Sequence, residues 1–435
     1  LLIPVEFITI KIDMSLQINL DRLSKDDIMN INKDLVIKLE NKKGYGPVRY
    51  VSPYALINNI VYLPFNYGIS YLRLKRRPRN EFPVNHSIFT AVLRDEQIEV
   101  KKEAIRQLNI NGTVILSMYC GFGKTVTSIN ISCAIKLKTI IIVNKIVLMK
   151  QWKDSIDAFC DHNGIQLLKS GDTIDDECDF FIINAQNIEK FDIGTFRNIG
   201  TVIVDEAHLI MAEQISKCLT YIQPRYLIGL TATPYRPDGL DNLLSLYFGD
   251  FKIIRTLNML HHVFPVQTGF KPPIEYGVNG QLNWNAILDS QAMDKDRNTM
   301  ILNIIEYFSD KNILVLVKRV KQAEWLETHL QQRNVTVTSL VGSNQTFDRS
   351  SRVLLGTASK VGTGFDHPKL NMLILAADVE EYFIQYLGRC MRTKDSIPYV
   401  IDLIDDNNVL RKHYKTRKNI YEKHGGVIKT PYFIN

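Results

Sequence analysis

The chain has 435 residues, 45% hydrophobic and 23% charged, with 53 basic and 46 acidic side chains leaving a formal net charge of +7. At roughly 100 to 200 residues per domain, that length predicts two to four domains that can each bury a core, and the ordinary composition excludes a disordered or fibrous chain. The six cysteines lie far apart, with no Cys-x-x-Cys pair and no histidine at zinc spacing, which argues against a disulfide framework or structural zinc and suits a reducing, intracellular compartment.

The first residues carry Glu6, Lys11 and Asp13 inside an apolar stretch and lack a basic head, so they do not read as a secretory signal. Since Met14-Ser15-Leu16 forms a natural start, residues 1–13 are expected to be an added extension or upstream read-through. An alternating run (Phe7–Ile12, Leu16–Leu20), a helical stretch (Lys25–Glu40) and a Tyr/Pro/Gly-rich segment (Gly44–Tyr71) predict a small α+β accessory domain over 1–88. That domain ends in a basic run of Arg73, Lys75, Arg76, Arg77 and Arg79.

From about residue 90, short β-branched runs alternate with longer amphipathic segments. Strands are expected at Thr113–Ser117, Thr139–Val143, Asp179–Ile183, Thr201–Val204 and Tyr226–Leu230, with helices at Asp95–Leu108, Thr125–Lys136 and Val147–Phe159. A second cycle has strands at Ile313–Val317, Val335–Leu340, Arg352–Gly356, Asn371–Leu375 and Tyr399–Leu403. Uniformly apolar strands with crossover helices indicate doubly wound parallel sheets, hence two α/β domains, at 89–250 and 296–435. Between them, 251–295 holds Pro265, Pro272 and Pro273 with no clean period, and is expected to be a linker with some structure of its own. No apolar run approaches the ~18 residues of a membrane span, so no membrane partner is expected.

The first α/β strand runs into Met118-Tyr119-Cys120-Gly121-Phe122-Gly123-Lys124-Thr125 and then a helix. Glycines allow backbone N–H groups to turn toward phosphates, Lys124 would reach the β- and γ-phosphates, and the Thr125 hydroxyl would ligate Mg²⁺. Cys120, Gly121, Phe122, Gly123, Lys124 and Thr125 are therefore expected to bind a nucleotide, although Met118 stands where the consensus has glycine. Val204-Asp205-Glu206-Ala207-His208 follows a hydrophobic run. Two carboxylates at the C-terminal edge of a parallel strand sit where such sheets bind ligands, so Asp205 would hold Mg²⁺ and Glu206 would polarise the attacking water. His208 fits either a satisfied buried group or a coupling role, which its place after the acidic pair favours.

With these motifs in order, residues 90–405 resemble superfamily-two helicases and translocases. Leu93-Arg94-Asp95-Glu96-Gln97 is similar to the motif before the phosphate loop, which implies nucleotide contacts for Arg94 and Gln97, with Gln97 on adenine. Asn144-Lys145 with Gln151-Trp152, and Asn184-Ala185-Gln186, resemble the strand-contacting motifs. Asp205-Glu206-Ala207-His208 matches the DEAH form, and Leu230-Thr231-Ala232-Thr233-Pro234 with Arg236 and Asp238-Gly239 matches the third motif of the XPB-like and phage recombination-helicase branch. Gly362-Thr363-Gly364-Phe365-Asp366 resembles motif five, and Gln385-Tyr386-Leu387-Gly388-Arg389-Cys390-Met391-Arg392 resembles motif six. DEAD-box RNA helicases would have Asp at 208 and Ser at 231. DEAH-box RNA helicases carry longer C-terminal domains. The motifs look closest to helicases of large DNA viruses, including the poxvirus transcript-release type.

The resemblance implies two tandem RecA-like P-loop domains behind the small N-terminal α+β domain, ATP and Mg²⁺ as cofactors, and catalytic roles for Lys124, Asp205, Glu206, His208, Gln385, Arg389 and Arg392. Gly364 and Asp366 would touch the nucleotide. Asn144, Lys145, Gln186, Arg236 and Thr357 would hold nucleic acid by its phosphates, giving salt-dependent and sequence-tolerant binding. The expected activity is ATP-dependent unwinding of single-stranded, forked or branched DNA, 3′-to-5′. The alternatives are a translocase that releases transcripts or remodels or anneals branched DNA without processive unwinding, and an RNA helicase; a non-enzymatic nucleic-acid-binding protein on the same fold is opposed by the intact Lys124, Asp205, Glu206, Arg389 and Arg392. A viral origin would place the chain in host cytoplasm or nucleus and in the virion. Trp152 and Trp325 fit a helix core better than base stacking. Residues 72–79 hold a net +5 and 411–435 a net +6 against the total of +7, so the remaining chain is net −4. Both basic flanks, the second including Arg411, Lys412, Lys415, Arg417 and Lys418, are therefore candidate nucleic-acid contacts.

Overall fold

The computed structural model describes residues 16–39, 49–192, 194–210, 219, 222–232, 241–277, 280, 282–344, 346–361, 367–379, 383–390 and 396–433. The chain divides into two compact units, the main chain passing from the first to the second between Arg255 and Thr256.

The first unit opens with β1 (Leu16–Asn19), α1 (Lys25–Asp34), β2 (Ile37–Leu39), β3 (Arg49–Val51), β4 (Ala55–Ile57), β5 (Ile60–Leu63) and α2 (Phe65–Ser70). Strands β1, β5 and β4 form one antiparallel sheet, and β2 pairs with β3. The β4–β5 turn is Asn58-Asn59, both at positive φ (48° and 65°), the backbone that a two-residue hairpin with native twist requires. Helix α1 starts at a capping box in which the Ser24 hydroxyl and the Asp27 carboxylate each satisfy the other's backbone N–H. It stops at Asp34, short of the expected Glu40. From Leu35 the chain reads Leu-Val-Ile-Lys-Leu, with Leu35 and Ile37 buried and Val36 exposed between them, the alternation of a strand, and β2 forms there. The alternating run 7–12 lies outside the described residues.

This α+β region has a small core of its own, Leu23, Ile31, Leu35, Val61, Leu63 and Tyr67, and shares a second one with the next domain. Leu16, Ile37, Val51 and Phe65 are buried in one cluster with Ile115, Ile140, Val202, Leu227, Leu243 and Phe248 of the following α/β domain. The basic run completes the attachment. Arg76 donates to the carbonyls of Leu108 and Asn109 (2.8 Å each), Arg79 donates to the carbonyl of Ile135, and Arg77 donates to the carbonyl of Arg197 (2.9 Å). The 108, 109 and 135 carbonyls are helix C-terminal groups, where orphan acceptors and the negative end of the dipole favour a cation.

The α/β part comprises β6 (Ile88–Phe89), α3 (Asp95–Asn111), β7 (Thr113–Met118), α4 (Lys124–Ile135), β8 (Thr139–Val143), α5 (Ile146–Phe159), β9 (Cys160–Asp161), β10 (Ile165–Leu168), β11 (Phe180–Asn184), β12 (Thr201–Val204), α6 (Ala207–Ile210), β13 (Tyr226–Thr231), α7 (Asp241–Phe248) and β14 (Lys252–Arg255). Seven strands form a parallel sheet in the order β10-β11-β8-β12-β13-β7-β14. The five strands read from sequence are present within one residue of their expected ends. Every residue of β7, β8, β11, β12 and β13 is buried, the condition that makes such strands uniformly apolar.

The second unit contains β15 (His261–Gln267), α8 (Trp284–Met293), α9 (Lys295–Tyr307), β16 (Ile313–Val317), α10 (Val320–Gln332), β17 (Val337–Leu340), β18 (Val353–Thr357), α11 (Ala358–Val361), β19 (Met372–Leu375), α12 (Phe383–Cys390), β20 (Tyr399–Ile404), α13 (Asn408–Lys423) and β21 (Gly426–Ile428). Its seven strands are again all parallel, in the order β17-β18-β16-β19-β20-β15-β21. The stretch 251–295 is thus more than a linker: β14 edges the first sheet, β15 lies within the second, and α8 follows. Pro265 is accommodated in β15 because β21 pairs only with residues 261–263, leaving that flank open where the proline lacks its N–H.

Candidate nucleotide and nucleic-acid site

Strand β7 delivers the phosphate-type loop. Gly121 and Gly123 both have φ +94°. At Gly123 a Cβ would stand 2.4 Å from Gln97 Nε2 and displace that amide, and the φ itself favours glycine. Lys124, first residue of α4, donates from Nζ to the carbonyl of Met118 (2.9 Å), and Thr125 lies in the same first turn. The loop is tied to α3: Gln97 Nε2 donates to the Phe122 carbonyl (2.9 Å), the Arg94 guanidinium donates to the same carbonyl, and Gln97 Oε1 accepts the Arg94 N–H (2.9 Å). Gln97 is 5% exposed, and its amide is engaged at both ends by these contacts. Arg94, Gln97, Phe122 and Gly123 are thus brought together.

The acidic pair lies where β12 ends. Asp205 donates its backbone N–H to Ile142 on β8, and its carboxylate accepts from two sides, the Glu206 N–H at Oδ1 (2.9 Å) and the Trp152 indole N–H at Oδ2 (2.9 Å). Burial, and then the neighbouring Glu206, push the Asp205 carboxyl up to about 6, against the indole bond and the Lys124 charge. Glu206 sits at φ +49°, a left-handed conformation that a non-glycine residue keeps only where its surroundings enforce it. Its Oε2 is buried 3.5 Å from His208 Nδ1, and it makes no hydrogen bond among the described residues. His208, 1% exposed, also places Nδ1 2.9 Å from the hydroxyl of Thr231, the last residue of β13. His208 is thus a buried side chain lying between Glu206 and the last residue of β13.

Asn144 and Lys145 follow β8 and lead into α5, while Gln186 is exposed in the 3-10 turn Ala185–Lys190 after β11. The phosphate loop, Asn144, Gln186, Asp205 and Thr231 thus all occupy the C-terminal edge of the first sheet, the edge at which open α/β sheets bind ligands. In the second unit Thr357 ends β18 and is 9% exposed, and Arg389 lies on α12 at 8%. Gln385 is in the same helix, but its side chain lies outside the described residues, as do Arg236, Gly364, Asp366 and Arg392.

Some charged expectations are corrected, whereas both tryptophans pack in the interior as expected. Arg76, Arg77 and Arg79 hold backbone carbonyls within the first unit, a structural task, while Arg73 and Lys75 of the same run are exposed. Arg417 is buried on α13 between Asp402 and Asp378, and Arg411 pairs with Asp406 at 2.6 Å. Lys412 and Lys415 remain exposed on that helix. Trp152 is 2% exposed, and Trp325 packs on the second core and stacks on His329 at 3.7 Å. The indole bond to Asp205 escaped sequence reasoning, because no spacing relates positions 152 and 205.

A parallel seven-stranded sheet with a phosphate loop, an Asp-Glu pair and a buried His-Thr link on one edge defines the superfamily-two helicase class. The profile of the family described as "Type III restriction enzyme, res subunit" matches residues 90–236. The helicase-designated protein 161L of Invertebrate iridescent virus 6 is 42% identical over 444 residues, covering 96% of this chain and 99% of that protein. The transcript termination protein A18 of Yaba-like disease virus is 26% identical, covering 65% of each chain. Among solved structures, yeast Dbp5 bound to RNA and ADP BeF3 matches with a TM-score of 0.56 at 14% identity, covering 76% of this chain and 89% of that one, a likeness of fold. The chain belongs to the viral superfamily-two helicase family that includes 161L. It is a helicase-family enzyme, an ATP-dependent motor acting on nucleic acid, built on two RecA-like domains with a small N-terminal α+β region. No helix among the described residues is long and apolar enough to cross a membrane.

Proposed function

We propose that the protein hydrolyses Mg-ATP to move along DNA and unwind it, 3′-to-5′, on single-stranded, forked or branched substrates. The observation that supports this reading is the grouping on one sheet edge of the Lys124 loop, Asp205 bonded by the Glu206 N–H, Glu206 3.5 Å from His208, and His208 against Thr231. The residues fit a magnesium ion: Thr125 and Asp205 offer the hard oxygen donors it prefers, and a carboxyl pushed up beside Glu206 is a pair whose repulsion a divalent cation relieves. When bound, Mg²⁺ supplies neutralising charge at the phosphates.

The chain's own residues carry the rest. Lys124 exchanges the Met118 carbonyl for a phosphate oxygen, and the N–H groups opening α4 face the same anion. Glu206, with a buried oxygen 3.5 Å from His208 Nδ1, would accept the proton of the attacking water and become neutral, leaving hydroxide to attack the phosphorus. Arg389 and Arg392 are assigned to transition-state charge stabilisation, an effect on the order of 10³ to 10⁵ in rate for such arginines. Asn144, Lys145, Gln186, Arg236 and Thr357 are assigned to the nucleic-acid backbone, with Gly364, Asp366 and Gln385 on the nucleotide side of the second domain. The site acts inside the infected cell, in host cytoplasm or nucleus.

The test is ATP turnover titrated with single-stranded DNA, duplex, forked DNA and RNA, together with strand displacement on the fork. Stimulation of several fold by DNA, with displacement, supports the reading, and a rate no polynucleotide alters refutes it. The similarity to a transcript termination protein over 65% of the chain favours one second reading, a translocase that releases transcripts. DNA-stimulated turnover without fork displacement, combined with release of RNA from a stalled complex, would select it.

A further inference from the structure

We propose that Trp152 is a positioning residue: its indole N–H orients the Asp205 carboxylate for the metal and ties the metal site to helix α5. This rests on the assignment of Asp205 to Mg²⁺ above. A buried tryptophan needs an acceptor for its N–H, and a backbone carbonyl would serve as well as any. Trp152 takes the one side-chain oxygen to which a charge-assisted bond adds directional control, Asp205 Oδ2 at 2.9 Å. The other oxygen is held by the Glu206 N–H from the adjacent residue. The carboxylate plane is therefore fixed by one local donor and one donor from a separate helix.

The indole itself cannot drift. It is 2% exposed and shares the buried face of α5 with Leu148, Met149 and Ile156. That helix begins immediately after Asn144-Lys145, so a shift of its first turn moves the Trp152 nitrogen, two turns on, relative to Asp205. Partners that hold a metal ligand from behind typically change metal affinity or activity ~10- to 100-fold when removed.

The experiment compares Trp152→Phe, Leu148→Ala and Asp205→Asn with the full chain. Leu148→Ala removes packing from the same helix face without removing an N–H, and thermal melting scores folding in all three. Two readouts are taken: the Mg²⁺ concentration giving half-maximal ATP turnover, and equilibrium binding of a fluorescent ATP analogue with and without Mg²⁺. In Trp152→Phe, the half-maximal Mg²⁺ should rise about tenfold or more. Its Mg²⁺-dependent analogue binding should weaken alike, while Mg²⁺-free binding stays at the wild-type value. Leu148→Ala should keep the wild-type Mg²⁺ requirement. If Trp152→Phe keeps it too, and merely melts earlier as Leu148→Ala does, the indole is core packing and the proposal is overturned. If Asp205→Asn keeps the wild-type Mg²⁺ requirement, the metal assignment falls first and takes the proposal with it.

Discussion

Arg417 separates a nucleic-acid role from a structural one. Its guanidinium is 3% exposed and makes a bidentate pair with Asp402 (2.9 and 2.8 Å) and a further bond to Asp378 (2.8 Å). Tyr421 donates to Asp402 and His413 bonds Asp378, so one arginine neutralises two buried carboxylates that each have one other bonded side chain. Arg417→Ala leaves both without their cation, a loss of ~3 to 5 kcal/mol when a buried pair is broken. At roughly 2 to 4 °C per kcal/mol for a unit of this size, the unfolding transition of the second unit should fall by about 6 to 20 °C. The assay is thermal unfolding by circular dichroism beside DNA binding at two salt concentrations, with Lys415→Ala as the exposed comparison. Lys415→Ala should melt as wild type. An Arg417→Ala protein that melts like wild type but binds DNA with a shallower salt slope would refute the burial argument and restore the phosphate contact. The pH dependence has a definite sign. Burial pushes the Asp378 carboxyl up, but the His413 bond and the Arg417 charge outweigh it and hold it below its ordinary 3.8. The native state therefore binds this proton more weakly than the unfolded chain, and the stabilisation is present above about pH 4 and is lost as pH falls further.

Lys124→Ala and Glu206→Gln should each abolish ATP turnover, with Glu206→Gln retaining ATP-dependent DNA binding; near-normal turnover in Glu206→Gln would eliminate it as the base. Gly123→Ala, which combines a positive φ with displacement of the Gln97 amide, should weaken nucleotide binding measured by fluorescence titration. His208→Ala removes the Thr231 bond, worth about 1 kcal/mol, and should lower DNA stimulation of turnover more than the basal rate, which parallel assays with and without DNA decide. Arg76→Ala should cost about 1 to 3 kcal/mol in urea unfolding of the first unit and leave the salt slope of DNA binding unchanged. Lys412→Glu with Lys415→Glu should weaken DNA binding and flatten that slope.

Regular buried strands were the easiest part of the fold to read. Runs such as Thr139–Val143 are apolar on both faces, which leaves little room for another assignment. The edge strands β10, β14 and β21 were missed because an edge is only partly covered and tolerates Gln166 or Lys252, and the interior β15 was missed because Pro265 interrupts its apolar run. The site motifs were legible because phosphate and metal chemistry restrict residue type at fixed spacing, as in Gly121 to Thr125. Charge was the poor guide. Five basic residues in eight look alike in sequence, whereas in the fold Arg76 and Arg79 close helix ends and Arg417 is enclosed by acids. Those outcomes depend on partners 32, 56 and 39 positions away.

The sharing of one apolar interior by the N-terminal region and the first α/β domain bears on how this motor can be dissected. Cutting the chain near residue 88 would strip Leu16, Ile37, Val51 and Phe65 from a cluster that reaches Val202 and Leu227, the strands beside the acidic motif. Such a fragment presents newly wetted hydrocarbon and invites self-association. The minimal catalytic piece of this protein therefore begins upstream of its first recognisable motif, and loss of activity on truncation reports a breached interior before it reports any lost partner.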